Sequence, residues 1–214
     1  MSLRLRSSTW TLGVLILACF YPTCGRASDG TWIGIGVGPT STVWRRAIFG
    51  TSPPEHKRQW NTAVSASAGY DFNLRSIWLG PTIGLTYYDG PNFPEYNSSN
   101  ASRWTLQAGV RVGLDLSGVQ FAFLSAGLSA RHSQSNGFSF PDLTPIVLRS
   151  KWSVGYYLGA GAGWRLSESV SAVLEYRFTD HGGHRQRDFG LLQPVTFVSP
   201  FSHQLTVGLT VHYR

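Results

Sequence analysis

Residues 201–214, FSHQLTVGLTVHYR, alternate without a slip. Leu205, Val207, Leu209, Val211 and Tyr213 fall on one face, and Gln204, Thr206, Gly208, Thr210 and His212 on the other. A period of two is the mark of a strand. One face suits hydrocarbon, and the other carries groups that want water or hydrogen-bond partners. A long strand with a single apolar side at the end of a chain either stays an exposed edge, which invites aggregation, or pairs with an earlier strand to close a sheet. The rest of the chain supports closure.

Upstream the same rhythm recurs at about 31–44, 62–74, 77–88, 103–115, 119–132, 151–166 and 170–180, which makes eight strands with the last. In 103–115, Trp104, Leu106, Ala108, Val110, Val112 and Leu114 oppose Arg103, Thr105, Gln107, Gly109, Arg111, Gly113 and Asp115. The second set is no soluble core. Pro81 removes one ladder donor within 77–88, so a local bulge is expected there. Connections near 73–76, 115–118 and 167–169 are tight, whereas 45–61, 89–102, 133–150 and 182–199 are long and rich in Pro, Asn, Ser and Gly. Short turns alternating with long loops are the layout of an antiparallel outer-membrane barrel, whose strands cross the bilayer in about 9–11 residues. The expected fold is all-β: an eight-stranded antiparallel transmembrane up-and-down β-barrel.

The orientation of the faces decides between this and a soluble lipid-binding barrel, which keeps its apolar face inside. Here the apolar faces carry almost no charge, and their aromatics gather near strand ends at Tyr70, Phe72, Tyr87, Trp104, Trp152, Trp164, Tyr176, Phe178 and Tyr213. Those are the girdles of two lipid interfaces. The face rich in Gly, Ser and Thr is then the lumen, which in an eight-stranded barrel is just wide enough for side chains to fill. Buried charges persist when paired. Arg111, Arg131, Arg165 and Arg177 are therefore expected beside Asp71, Asp115 and Glu175 as a structural network rather than a gate.

Only 14% of the 214 residues are charged, against 24 Gly, 8 Trp, 9 Tyr and 12 Phe. No apolar run reaches the roughly 18 residues that a spanning helix needs. Arg4 and Arg6, the apolar stretch 12–20, and small residues Gly25 and Ala27 form a secretory leader. Residues 1–27 are read as the signal peptide and 28–214 as the barrel. Lipidation of Cys19 is the rival processing, on a loose lipobox, Ile16-Leu17-Ala18-Cys19. Cleavage after Ala27 removes Cys19 and Cys24, so stability must come from sheet and packing rather than disulfides. The net charge of +7 shrinks with the leader, and no dense basic stripe interleaved with stacking aromatics points to nucleic acid.

Two segments, EYRFTDHG at 175–182 and SHQLTVGLTVHYR at 202–214, resemble the last hairpin of the opacity-type, OmpA-like outer-membrane barrels of Gram-negative bacteria. The resemblance implies residence in the outer membrane and insertion by the outer-membrane assembly machinery, which reads the last strand. In that family the final residue is usually aromatic, whereas here Tyr213 is penultimate and Arg214 ends the chain.

The long loops carry Arg45, Arg46, Lys57, Arg58, Arg185 and Arg187, basic groups suited to lipopolysaccharide phosphates or to acidic glycans on another cell. His181 and His184 lack companions at metal-ligand spacing, and no cofactor is expected. The enzymatic alternative is a lipid A deacylase resembling a serine esterase. It would need Ser199 or Ser202 to fold back onto His181. A small-solute pore is the other alternative. The reading that covers most of the sequence is a non-enzymatic barrel with a structural or adhesion-like role through four outer loops.

Overall fold

In a computed structural model the described residues are 30–48, 55–74, 76–88, 92–93, 98–138, 145–182, 186–188 and 195–213. They form strands β1 (Gly30–Ile48), β2 (Glu55–Leu74), β3 (Ile77–Tyr88), β4 (Asn92–Phe93), β5 (Ser98–Asp115), β6 (Gln120–Phe138), β7 (Pro145–Arg165), β8 (Val170–Asp180), β9 (Gln186–Asp188) and β10 (Val195–Tyr213). All pairings are antiparallel, in the order β1-β2-β3-β5-β6-β7-β8-β10, and β10 pairs back to β1. The sheet is a closed eight-stranded barrel, with β4 and β9 as short additions beside β5 and β10. Residues 1–27, expected as the leader, with Cys19 and Cys24 lie outside the described residues.

The seam forms where 201–214 anticipates it. Thr31 faces Tyr213, Ile33 faces Val211 and Ile35 faces Leu209, so apolar residues meet apolar ones across the closure. Two of the tight turns are built alike. Leu116 and Ser117 donate their backbone N–H to Gln120 O while Ser117 Oγ accepts from Gln120 N at 3.0 Å. Leu166 and Ser167 repeat this with Val170, whose N–H reaches Ser167 Oγ at 3.1 Å. A serine hydroxyl at the first turn position stands in for a backbone acceptor.

The faces point as their chemistry requires. Ile83 is 63% exposed and Val154 66%, with Ile33, Ile35, Val64, Leu106, Val112, Leu124, Leu158, Val207 and Leu209 alongside on the outer wall. Aromatic pairs stand near both ends of this wall. Tyr70 lies 4.8 Å from Phe72 toward the short turns, and Tyr87 lies 4.7 Å from Trp104 toward the long connections. The buried set is inside and is partly apolar: Trp78, Phe121 and Phe123 form a cluster within the lumen, with Val173 packed against it.

Two expectations need correction. Pro81 creates no bulge: β3 pairs with β5 straight through it, and the ladder to β2 merely skips Tyr70/Asp71 against Gly80/Pro81 before resuming in register. The same happens at Gly38-Pro39, which pairs with β2 but not with β10. The glycine before each proline lets the neighbouring backbone close in, since a Cβ on Gly80 would fall 1.5 Å from Tyr70 O and one on Gly38 1.8 Å from Leu205 O. The second correction is that much of the expected loop sequence is strand. β1 runs to Ile48, β2 starts at Glu55, β5 at Ser98, β7 at Pro145 and β10 at Val195. Beyond the bilayer both faces meet water, so apolar alternation fades while backbone pairing continues.

Candidate functional site

Strand parity delivers the lumen. Residues two apart on a strand share a face, so Trp78, Phe121, Phe123, Arg111 and Asp71 converge from five positions on β2, β3, β5 and β6. Arg111 is 7% exposed. Its Nε and Nη2 donate to Asp71 Oδ1 and Oδ2 at 3.1 and 2.5 Å, a fork-shaped pair. The guanidinium also lies 3.6 Å from the Trp32 ring centroid and 4.6 Å from that of Trp78. Trp32 Nε1 donates to Asp71 Oδ1 at 3.2 Å, so the carboxylate is held from two sides. Aromatic faces and a carboxylate together replace the water that a buried guanidinium gives up.

Two more ion pairs sit above and below. Toward the short turns Arg165 Nη2 meets Asp115 Oδ1 at 2.8 Å, and Nη1 donates to Gly118 O at 3.2 Å. In mid-lumen Arg177 Nη2 meets Glu175 Oε2 at 2.7 Å, with Ser125 Oγ donating to Glu175 Oε1 at 3.2 Å. Arg177 also donates to Gln107 Oε1 across the lumen and lies 5.3 Å from the Tyr157 ring. Arg131 is apart from these three pairs, 2% exposed, with its guanidinium 5.2 Å from the Tyr88 ring.

Composition does not reveal the aromatic fill, which includes Trp32, Tyr88 and Tyr157. The signal lies in cross-strand glycines. Gly69 faces Trp32, Gly113 faces Trp78, Gly161 faces Phe123 and Gly163 faces Phe121. A Cβ on Gly113 would lie 1.9 Å from Trp78 Cζ2, and one on Gly163 2.2 Å from Phe121 Cζ. Each indole or phenyl lies over the glycine beside it, and the pairing becomes legible only once the register is known.

At the outer end His181 and Ser202 do meet, with Nε2 and Oγ 3.0 Å apart. No folding back is needed, because Ser202 pairs directly with Thr179 two residues before His181. A nucleophile pair would need an acid on the other ring nitrogen and room for a substrate. His181 Nδ1 has no hydrogen-bond partner among the described residues, and the side chain is 2% exposed. Asp180, the nearest acid in sequence, instead accepts from the Gly182 N–H at 2.9 Å in a turn where Gly182 takes φ 72°. That left-handed backbone suits glycine. Among the described residues no group of three or more His, Cys, Asp or Glu could hold a metal ion. Ser199 lies on β10, and His184 outside the described residues.

The basic residues of the expected loops are largely on strands. Arg45 and Arg46 belong to β1 and face His56 and Glu55 of β2, while Lys57 and Arg58 face Trp44 and Val43. On the other side Arg46 faces Phe197 and Ala47 faces Thr196 of β10, and Thr196 in turn faces Arg187 of β9. The order β2-β1-β10-β9 thus gathers five of the six into one sheet that extends past the membrane wall. Arg185 lies outside the described residues.

A model of the outer membrane protein beta-barrel domain matches residues 12–212. Among solved structures, Neisserial surface protein A is 14% identical, with 86% of this chain and 97% of that chain covered and a TM-score of 0.53. The attachment invasion locus protein of Yersinia pestis is 10% identical, covering 87% and 99%, with a TM-score of 0.47 in its complex with the heparin analogue sucrose octasulfate. The N-terminal β-barrel domain of Pseudomonas aeruginosa OprF is 10% identical, covering 84% and 97%, with a TM-score of 0.43. Among curated proteins none matches the sequence. Identities this low speak for the fold alone.

Proposed function

Since the chain belongs to the outer membrane protein beta-barrel domain family and resides in the bacterial outer membrane, we propose that it is a non-enzymatic, side-chain-filled pedestal whose basic sheet extension engages polyanionic saccharide at the cell surface. The observation that carries this reading is the register gathering Arg45, Arg46, Lys57, Arg58 and Arg187 onto neighbouring strands. Cations that loops would scatter are fixed on one sheet, where several sulfate or phosphate groups of one polymer can be met together. The lumen supports the same reading by its contents, since ion pairs and rings occupy the axis a pore would need. The test is binding of whole cells producing the protein to dextran-sulfate beads. Replacing Arg45, Arg46, Lys57 and Arg187 together by Ala is expected to abolish retention, and retention by the wild type should fall steeply with added salt. Equal retention of the variant and the wild type overturns the reading.

The 3.0 Å contact between His181 and Ser202 favours one second reading, lipid A deacylation. It requires His181→Ala to change the acyl content of lipid A. The non-enzymatic reading predicts no change, because the imidazole has no orienting acid among the described residues and is enclosed in the lumen.

A further inference from the structure

We propose that the outermost layer of the lumen binds a small monovalent anion, of halide size, between Arg131 of β6 and His181 at the end of β8. The site is separate from the basic sheet extension and does not depend on the saccharide reading. Arg131 and His181 each lie about eleven residues from the short-turn end of their strands, where a tilted strand reaches the outer interface. β7 stands between them in the wall, and a glycine there lets the two sides meet. Gly155 faces Ser129, and a Cβ on it would fall 1.9 Å from Asp180 O. Ser129 Oγ donates to that same carbonyl at 3.4 Å, so β6 reaches across β7 to the residue before His181. Arg131 is thereby close enough to act on the imidazole electrostatically.

Two buried polar atoms of this layer have no hydrogen-bond partner among the described residues: His181 Nδ1 and Thr86 Oγ1. Thr86 is 3% exposed and lies in one cross-strand row with Arg131, since Thr105 pairs with both. With Ser202 Oγ donating to His181 Nε2 across 3.0 Å, the imidazole proton sits on Nδ1 and presents a donor. The Thr86 hydroxyl is a second donor, and the guanidinium of Arg131 supplies the positive charge. A buried donor without an acceptor is costly, and one acceptor shared among these groups removes that cost.

Charge selects an anion over water as that acceptor. The three acids of the described lumen, Asp71, Asp115 and Glu175, lie deeper, and each meets its own arginine. Asp180, the acid nearest His181 in sequence, accepts from the Gly182 N–H. Water would satisfy the orphan donors but bring no negative charge into an enclosure where charge is costly, whereas an anion supplies both. Enclosure sets its size. Arg131 and His181 are 2% exposed, and Thr42, Thr105 and Ser129 around them no more than that. A doubly charged sulfate or phosphate would exceed the charge of one guanidinium.

The experiment follows urea unfolding of the full barrel, purified from outer membranes in detergent micelles, as sodium bromide replaces sodium gluconate at constant ionic strength. If bromide binds the folded state alone, raising it from one to about a hundred times its dissociation constant lowers the unfolding constant about fiftyfold. Arg131→Met is expected to lose this dependence. Thr86→Val should weaken bromide affinity about tenfold, the loss of one hydrogen bond to a charged group. The fourfold variant that tests the basic sheet extension should respond to bromide as the wild type does, so the two readings fail separately. Anomalous diffraction from wild-type crystals grown in bromide locates the ion whether or not the variants fold, with the peak expected between Arg131 and His181. Wild-type unfolding indifferent to bromide, an undiminished bromide dependence in Arg131→Met, or no anomalous peak in this layer overturns the proposal.

Discussion

Arg111 shows what it takes to keep a guanidinium inside a barrel. Its charge is matched by Asp71, and its two faces are covered by Trp32 and Trp78. Asp71→Asn leaves the cation enclosed without a carboxylate and is expected to cost about 3–5 kcal/mol of folding stability in urea titrations of the micelle-bound barrel. Asp115→Asn should cost about 1 kcal/mol or less, because that pair stands at the wetter short-turn mouth with its side chains 20% and 27% exposed. Gly113→Val is expected to destabilise by about 1–3 kcal/mol through overpacking against Trp78. Gly84→Ala should be tolerated, since its Cβ would meet only Gln107 and Ala66, at 3.5 Å or more. The charges of the lumen are legible in the sequence, because alternation alone puts Arg111, Arg165 and Arg177 on the inner face. The acids Asp71, Asp115 and Glu175 are legible in the same way, but which of them each arginine meets is not. Glu175 and Arg177 share a strand, but Arg111 and Asp71 are 40 residues apart and meet through the curvature and stagger of the wall. Trp32 is hidden for the same reason, as only its facing Gly69 explains how it fits.

Among the elements, β5 is the one whose outer face is easiest to test. Val110 is mid-wall, and Trp104 lies at the outer girdle. Val110→Arg is expected to cost about 2–4 kcal/mol and Trp104→Arg about 0–1 kcal/mol in the same titration, because the penalty for a cation facing lipid falls toward the interface. Equal costs at the two positions would mean that this face does not meet hydrocarbon. Strand existence is readable wherever lipid enforces a period of two, and β3 and β8 begin and end where alternation says they should. Strand length is not readable past the interface. At WRRAI and EHKRQW no apolar period survives in the sequence, and the backbone ladders of β1 with β2 and β10 keep the chain extended. The Gly-Pro steps mislead in the opposite direction. A lone proline argues for a bulge, but the preceding glycine lets the strands pass without losing register.

For the whole molecule, closure and filling go together. A barrel whose axis holds three ion pairs and a cluster of rings should show no steady conductance in planar bilayers, and joint replacement of Trp78 and Phe123 by Ala should admit measurable current. The direction in which the faces point is the claim on which every other part depends. It is tested most directly by electrophoresis of the outer-membrane fraction in SDS, with one portion unheated and one boiled. A closed barrel resists SDS until heated, so the predicted result is a band in that fraction whose mobility shifts on boiling. A band that keeps one mobility and is recovered in the detergent-free soluble fraction would mean that the apolar faces point inward, and would contradict the account.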